Sequence, residues 1–216
     1  SKPVIDLVKE NYQSINFIFD DSLNPLTNSF VKPIDVLRYD PPTNTTPFHI
    51  LKYQIYKKLN LMIKSKLIQN AKKIDNFLIN FLKKQKYSLL VAPMKYGVIS
   101  GGKKIRSTII FDTGKLLRIK EKKLVHICAA VECIHSYSLI HDDLPCMDND
   151  SIRRGKPSTH KKFGEATAVL AGNSLLTLAF EIIADKKNFL SSKHKNDIMR
   201  LLANFSGHTG IAGGQE

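Results

Sequence analysis

The sequence predicts an all-α fold. Three observations carry that prediction. A chain of 216 residues, 43% of them hydrophobic, is long enough to bury a core. From about His49 onward, apolar residues recur at three- and four-residue spacing, the period of a helix with one buried face. No stretch alternates apolar and polar residues with turn residues at its ends, as a half-buried strand does.

The elements follow in order. Residues 1–48 are expected to be irregular, because Asn24-Pro25, Lys32-Pro33 and Asp40-Pro41-Pro42 break any regular period. Residues 1–60 are therefore assigned to an N-terminal extension, and 61–216 to the main folded part. The first long helix carries Ile63, Leu67, Ile68, Ile74, Phe77, Leu78, Phe81 and Leu82. Pro93 opens a second helix through Val98, ended by Ser100-Gly101-Gly102. Ile105–Leu117 and Leu124–Ile140 are further helices, the latter stopped by Pro145. Ser158–Ala184 reads as one long helix, apolar on most faces and hence central; Ser191–Ala203 is amphipathic.

Charge is unevenly placed. Residues 61–125 carry sixteen Lys or Arg against three Asp or Glu, while residues 126–216 carry ten of each. Such a segment can face nucleic acid or a membrane surface, or simply cover helices with solvated lysines. The absence of aromatic-basic alternation favours solvated faces and no nucleic-acid partner. No uninterrupted apolar run reaches about 18 residues, so no membrane span is expected. Cys128, Cys133 and Cys146 are odd in number and not paired by spacing, which points to reduced thiols and a cytoplasmic location. The acids at Asp6, Glu10, Asp20 and Asp21 argue against a transit peptide.

The chemistry concentrates in two places. In Ser138-Leu-Ile-His-Asp-Asp-Leu-Pro-Cys-Met-Asp-Asn-Asp-Ser-Ile-Arg-Arg-Gly155, the carboxylates Asp142, Asp143 and Asp148 crowd together and Arg153 and Arg154 follow. Crowded carboxylates repel unless a cation joins them. A few hard oxygen ligands suit Mg²⁺, which takes its remaining ligands from water and phosphate. A pair of guanidinium forks suits phosphate oxygens. The alternative is a solvated Asp-rich turn. Asp142 and Asp148 are six apart, far round a regular helix, but with Pro145 breaking the helix the loop can return Asp148 to the same cation. The second place is Gly101-Gly102-Lys103-Lys104-Ile105-Arg106, where two glycines and three cations open a helix; an anion site or a plain helix stop both fit.

Taken together, these motifs resemble those of the trans-isoprenyl diphosphate synthases, the farnesyl and geranylgeranyl diphosphate synthase family. Asp142-Asp143-Leu-Pro-Cys-Met-Asp148 is similar to its first aspartate-rich motif in the longer form, followed by Arg153-Arg154-Gly155. Gly101 to Arg106 resembles its GGKRxR motif with Lys104 in place of Arg. His135 and Gly213-Gly214-Gln215 match two more positions, and the likeness covers about residues 64–216.

The resemblance implies an isoprenoid-synthase-type helical bundle, with 61–216 as the N-terminal part of a polyprenyl synthase domain. It implies a homodimer that condenses isopentenyl diphosphate with an allylic diphosphate to give farnesyl diphosphate, with Mg²⁺ assisting departure of the allylic diphosphate. Carried over residue by residue, it makes Asp142, Asp143 and Asp148 catalytic, with Asp142 and Asp148 as metal ligands. Gly102, Lys103, Arg106, His135 and Arg154 belong to the isopentenyl diphosphate site, Arg153 to the allylic diphosphate, and Gln215 to the allylic pocket. Tyr137 and Ser138, five and four residues before Asp142, form the floor that limits product length. Without the family, a hydrogen-bonded core histidine is the minor alternative for His135, and His141 reads as either supporting or structural. The family's second aspartate-rich motif has no counterpart before Glu216, so the resemblance implies an incomplete bundle that is inactive alone, or a partner-dependent subunit.

Overall fold

The structure is a computed structural model; it describes residues 47–99 and 101–215. Residues 1–46 lie outside this range, so the expected irregular segment is not described, except that its last two positions fall in the first turn of a helix. The chain divides between Lys57 and Lys58 into two units, and the second, Lys58–Glu216, holds every candidate residue.

Seven α-helices occur among the described residues: α1 (Pro47–Leu82), α2 (Val91–Val98), α3 (Ile105–Leu116), α4 (Glu121–Asp142), α5 (Thr159–Phe163), α6 (Glu165–Ala184) and α7 (Ser192–Ser206). The all-α expectation holds, with one addition. A two-stranded hairpin, β1 (Ile152–Arg153) and β2 (Lys156–Pro157), joins α4 to α5. Two-residue strands are too short to leave a period in the sequence, so the hairpin was not legible there.

The helix expected over Ser158–Ala184 is two helices. Gly164, at φ +88°, separates α5 from α6, a backbone angle that only glycine adopts without cost. Helix α7 begins where a side chain caps it: Ser191 Oγ accepts from the His194 amide at 3.3 Å.

The core sits around α4. Its most extensive interface is with α6, and the next is with α3. The interior is packed with Cys128, Ala129, Cys133, Leu175, Leu178 and Ile182, among others. Each fully buried Leu or Ile contributes roughly 1.5–3 kcal/mol. Three glycines let neighbouring helices close on α4. A Cβ at Gly97 of α2 would lie 2.5 Å from Ile140, one at Gly114 of α3 2.2 Å from Leu124, and one at Gly172 of α6 2.3 Å from His141. The C-terminal turns of α4 thus meet the first half of α6. Lys122, at the start of α4, lies over the Phe189 ring beyond the end of α6, so the two helices run antiparallel.

Contrary to the expectation from run length, two helices are long and apolar enough to cross a membrane by length and composition: Glu121–Asp142 and Glu165–Ala184. Isolated polar residues such as Glu132 and Asn173 interrupt the runs without lowering their mean hydropathy enough. Here they are the central antiparallel pair, and 56% and 44% of these windows is buried.

Close packing at Gly172 generates a prediction. Gly172→Val should destabilise the chain by about 1–3 kcal/mol, because overpacking outweighs the smaller gain in helix propensity. His141 cannot simply swing away: its Nε2–H donates to the Val169 carbonyl at 3.1 Å and its ring packs edge-on against Tyr137. Urea denaturation measures the loss; Gly214→Ala, with no heavy atom within 4 Å, should change little.

Candidate functional site

The site is built where α4 ends. Asp142 closes the helix and the chain then folds back, so that the Asp148 amide donates to the Asp142 carbonyl at 2.8 Å. The Asn149 amide donates to the Leu144 carbonyl at 3.0 Å, and Asn149 takes φ +52°. Residues between the two aspartates loop out. Burial first, then the Asp148 charge, pushes the Asp142 carboxyl above its ordinary value, with Arg153 opposing. Two carboxylates repelling across a partly buried helix end suit a hard cation.

Asp143 is engaged differently. It is 2% exposed, and its Oδ1 accepts from Arg153 Nε at 2.9 Å and from Arg153 Nη2. Nη2 also donates to Asp150 Oδ2 at 3.2 Å. Arg153 is thereby fixed beside the aspartates, and these bonds leave its Nη1 unused. No group of three or more His, Cys, Asp or Glu side chains is close enough to hold a metal among the described residues. Asp142 and Asp148 could thus offer a cation at most two carboxylate donors, a number that suits Mg²⁺ only where water and phosphate fill the other positions.

The hairpin places the arginines. Ile152 pairs with Pro157 and Arg153 with Lys156, and both turn residues, Arg154 and Gly155, have positive φ, as a two-residue primed turn requires. Tyr96 Oη donates to the Pro157 carbonyl at 2.7 Å and tethers the hairpin to α2. At the turn, Arg154 Nη1 donates to the Gly101 carbonyl. Its guanidinium lies where a Gly102 side chain would be: a Cβ there would sit 2.8 Å from Arg154 Cζ. Gly102 is thus glycine because of close approach as well as its φ of +98°.

Of the three cations opening α3, Lys103 and Arg106 are exposed and Lys104 is not. Lys104 turns inward at 6% exposure, donates to the Val98 carbonyl at 3.0 Å and lies 3.2 Å from Asp75 Oδ1, out of line for a hydrogen bond. Lys103 and Arg106, the two cations expected at an anion site, are thus the two that stay at the surface. The N-terminus of α3 is also partly occupied. Buried Glu132 accepts from the Ser107 hydroxyl at 2.7 Å and the Ser107 amide at 3.3 Å. The sequence shows Glu132 as a lone acid in an apolar run, and that was the only signal of this cap.

His135 lies on α4, half-buried. Its pKa is pushed down to about 4, by burial first and then by Arg106, Arg154, Lys104 and Arg153. The structure thus brings His135, Arg106 and Arg154 into one cationic cluster. Tyr137 stacks edge-on against His141 at 5.3 Å between ring centroids, and Ser138 Oγ donates to the His135 carbonyl at 3.0 Å. Neither borders the small cleft beside Asp143, which Tyr96, Leu139, Ile140 and Arg153 help to line. Gln215 is exposed in the 3₁₀ turn Gly213–Gln215, and no hydrogen bond or ion pair joins it to the other candidates. Cys128 and Cys133 are buried with thiols pushed up to about 12, chiefly by burial; Cys146 is exposed, and all three are free.

The sequence profile described as polyprenyl synthetase matches residues 87–215. The chain belongs to the polyprenyl synthetase family. The farnesyl diphosphate synthase of Escherichia coli is 47% identical over 127 residues, 58% of this chain and 42% of that protein. That of Buchnera aphidicola subsp. Acyrthosiphon pisum is 42% identical over 161 residues, 74% of this chain and 53% of that protein. Among solved structures, an FPP/GFPP synthase from Zymomonas mobilis superposes with a TM-score of 0.68 at 40% identity, covering 72% of this chain and 56% of that one. This polyprenyl synthetase chain spans about half the length of the curated relatives it matches.

The His135 cluster makes stability depend on pH. The unfolded histidine titrates near 6.5 and the folded one near 4, so between these values the unfolded chain binds more protons. Stability is therefore full above 6.5 and falls as pH drops from 6.5 to 4. Urea midpoints at pH 7.5 and 5.0 should show this fall, and His135→Gln should reduce it. Part remains in the variant because burial lowers His126 as well.

Proposed function

We propose that this chain is the N-terminal part of a prenyltransferase that joins isopentenyl diphosphate to an allylic diphosphate, dimethylallyl or geranyl, and forms farnesyl diphosphate. One observation carries the reading: the loop that returns Asp148 to Asp142 lies beside Arg153, while Arg154 on the same hairpin reaches Gly101 at the cationic cluster around His135. Two anion sites, one rich in carboxylates and one purely cationic, meet the needs of two different diphosphates.

In this reading Asp142 and Asp148 hold Mg²⁺. When bound, the ion supplies Lewis-acid neutralisation of the allylic diphosphate as a leaving group. Asp143 orients Arg153, whose remaining N–H groups bind the same diphosphate. Lys103, Arg106 and Arg154 bind isopentenyl diphosphate, with Gly102 providing the clearance for Arg154. His135, neutral at pH 7, donates one N–H to it. Departure of the diphosphate leaves an allylic cation, the isopentenyl double bond attacks it, and the proton lost in forming the new double bond passes to the departed diphosphate. Tyr137, with Ser138, limits the length of the apolar tail, and Gln215 faces the allylic pocket. The active protein is a homodimer, and the chain alone does not turn over, because half of the relatives' length lies outside it.

The test is prenyl transfer by this chain joined to the C-terminal half of the Escherichia coli relative, with Mg²⁺, isopentenyl and geranyl diphosphates, and chromatography of the products. The joined protein should make a fifteen-carbon product. Asp142→Ala or Asp148→Ala should lower turnover about a hundred- to a thousandfold, the scale on which loss of transition-state charge stabilisation acts. Tyr137→Ala should shift the product toward twenty carbons. Near-normal turnover in either aspartate variant removes the metal assignment, and an unaltered fifteen-carbon product from Tyr137→Ala removes the floor.

A further inference from the structure

The basic excess of residues 61–125 is not used up by the site. Much of it gathers at the other end of the bundle. Helix α4 has 22 residues, so its first turn lies about 30 Å along its axis from Asp142. Around that turn Lys115, Arg118, Lys120 and Lys122 are exposed. Lys122 Nζ sits 4.2 Å from the centroid of Phe189, tying this corner to the loop after α6, which carries exposed Lys186 and Lys187. Arg118, Ile119, Lys120, Lys122, Lys123 and Phe189 line one shallow concavity.

The acids here are already engaged. Glu121 pairs with Lys73 at 2.8 Å, and the Asp185 carboxylate accepts from the Lys187 amide at 2.9 Å. Large apolar side chains stand among the cations: Leu116 is 83% exposed, Leu117 66% and Phe189 54%. Arg118, at φ +56°, turns the backbone between Leu117 and Ile119.

This mixture selects among partners. A nucleic-acid surface combines cations with flat rings for stacking or with forked arginines for base edges; here lysines and branched aliphatics dominate. Aliphatic side chains ringed by lysines match a phospholipid interface, where apolar groups enter the headgroup layer and cations meet lipid phosphates.

We propose that this end of the bundle, opposite the aspartates, docks on an anionic phospholipid membrane. The apolar side chains enter shallowly, and the lysines and Arg118 contact phosphates around them. The association is peripheral and lowered by salt.

Sedimentation of the full chain with vesicles tests the proposal. Vesicles of phosphatidylcholine with about 30% phosphatidylserine should bind at least about tenfold more protein than pure phosphatidylcholine, and 0.5 M salt should remove most of the difference. Lys120→Glu/Lys122→Glu and Leu116→Ser/Leu117→Ser should each lower binding at least about fivefold, with thermal melts by circular dichroism unchanged. Should either fail to fold, Lys186→Glu/Lys187→Glu on the second loop is expected to give the same loss. Equal binding to both vesicle types, no binding, or displacement of anionic vesicles by equimolar duplex DNA overturns the proposal.

Discussion

The close packing of neighbouring helices on α4 is the constraint on which the rest depends. One helix carries the aspartates at its end, His135 two turns earlier and the capping acid Glu132 before that. It can hold these groups in register only if α2, α3 and α6 approach it closely. Gly97, Gly114 and Gly172 permit that, each at a place where a side chain would strike Ile140, Leu124 or His141. With the helix fixed, the chemistry becomes a matter of what emerges from its ends.

At the C-terminal end, electrostatics organises the chain. Asp142 and Asp148 are brought together against their repulsion by a backbone bond, while Asp143 gives its carboxylate to Arg153. Like charge is thus concentrated at one point and compensated beside it. The hairpin carries that compensation onward, since Arg154 spans from its turn to Gly101. The result is a cationic cluster strong enough, with burial, to keep His135 neutral.

Much of this was legible in the sequence, for identifiable reasons. The helices showed their period, and Pro145 announced that the chain must leave the helix before Asp148. The gaps also have physical causes. Lys104 reads as a surface cation because its sequence does not reveal that its backbone takes φ +41° and points its side chain to Val98 and Asp75. Gly164 inside an apolar run looks tolerable until its φ of +88° is known. Glu132 is visible only as an anomaly, because its partner, Ser107, is 25 residues away. Tyr137 and Gln215 were marked by resemblance rather than by chemistry, and their roles rest on the proposed function.

The central claim is that Asp142 and Asp148 bind a divalent cation jointly with a diphosphate. Calorimetric titration of the chain with inorganic diphosphate, with and without Mg²⁺, tests it most directly. The account predicts at least about tenfold tighter binding when Mg²⁺ is present, and loss of that gain in Asp142→Asn, since neutralising one ligand removes its share of the shared charge. Equal affinity with and without Mg²⁺, or a gain that survives in Asp142→Asn, would contradict it.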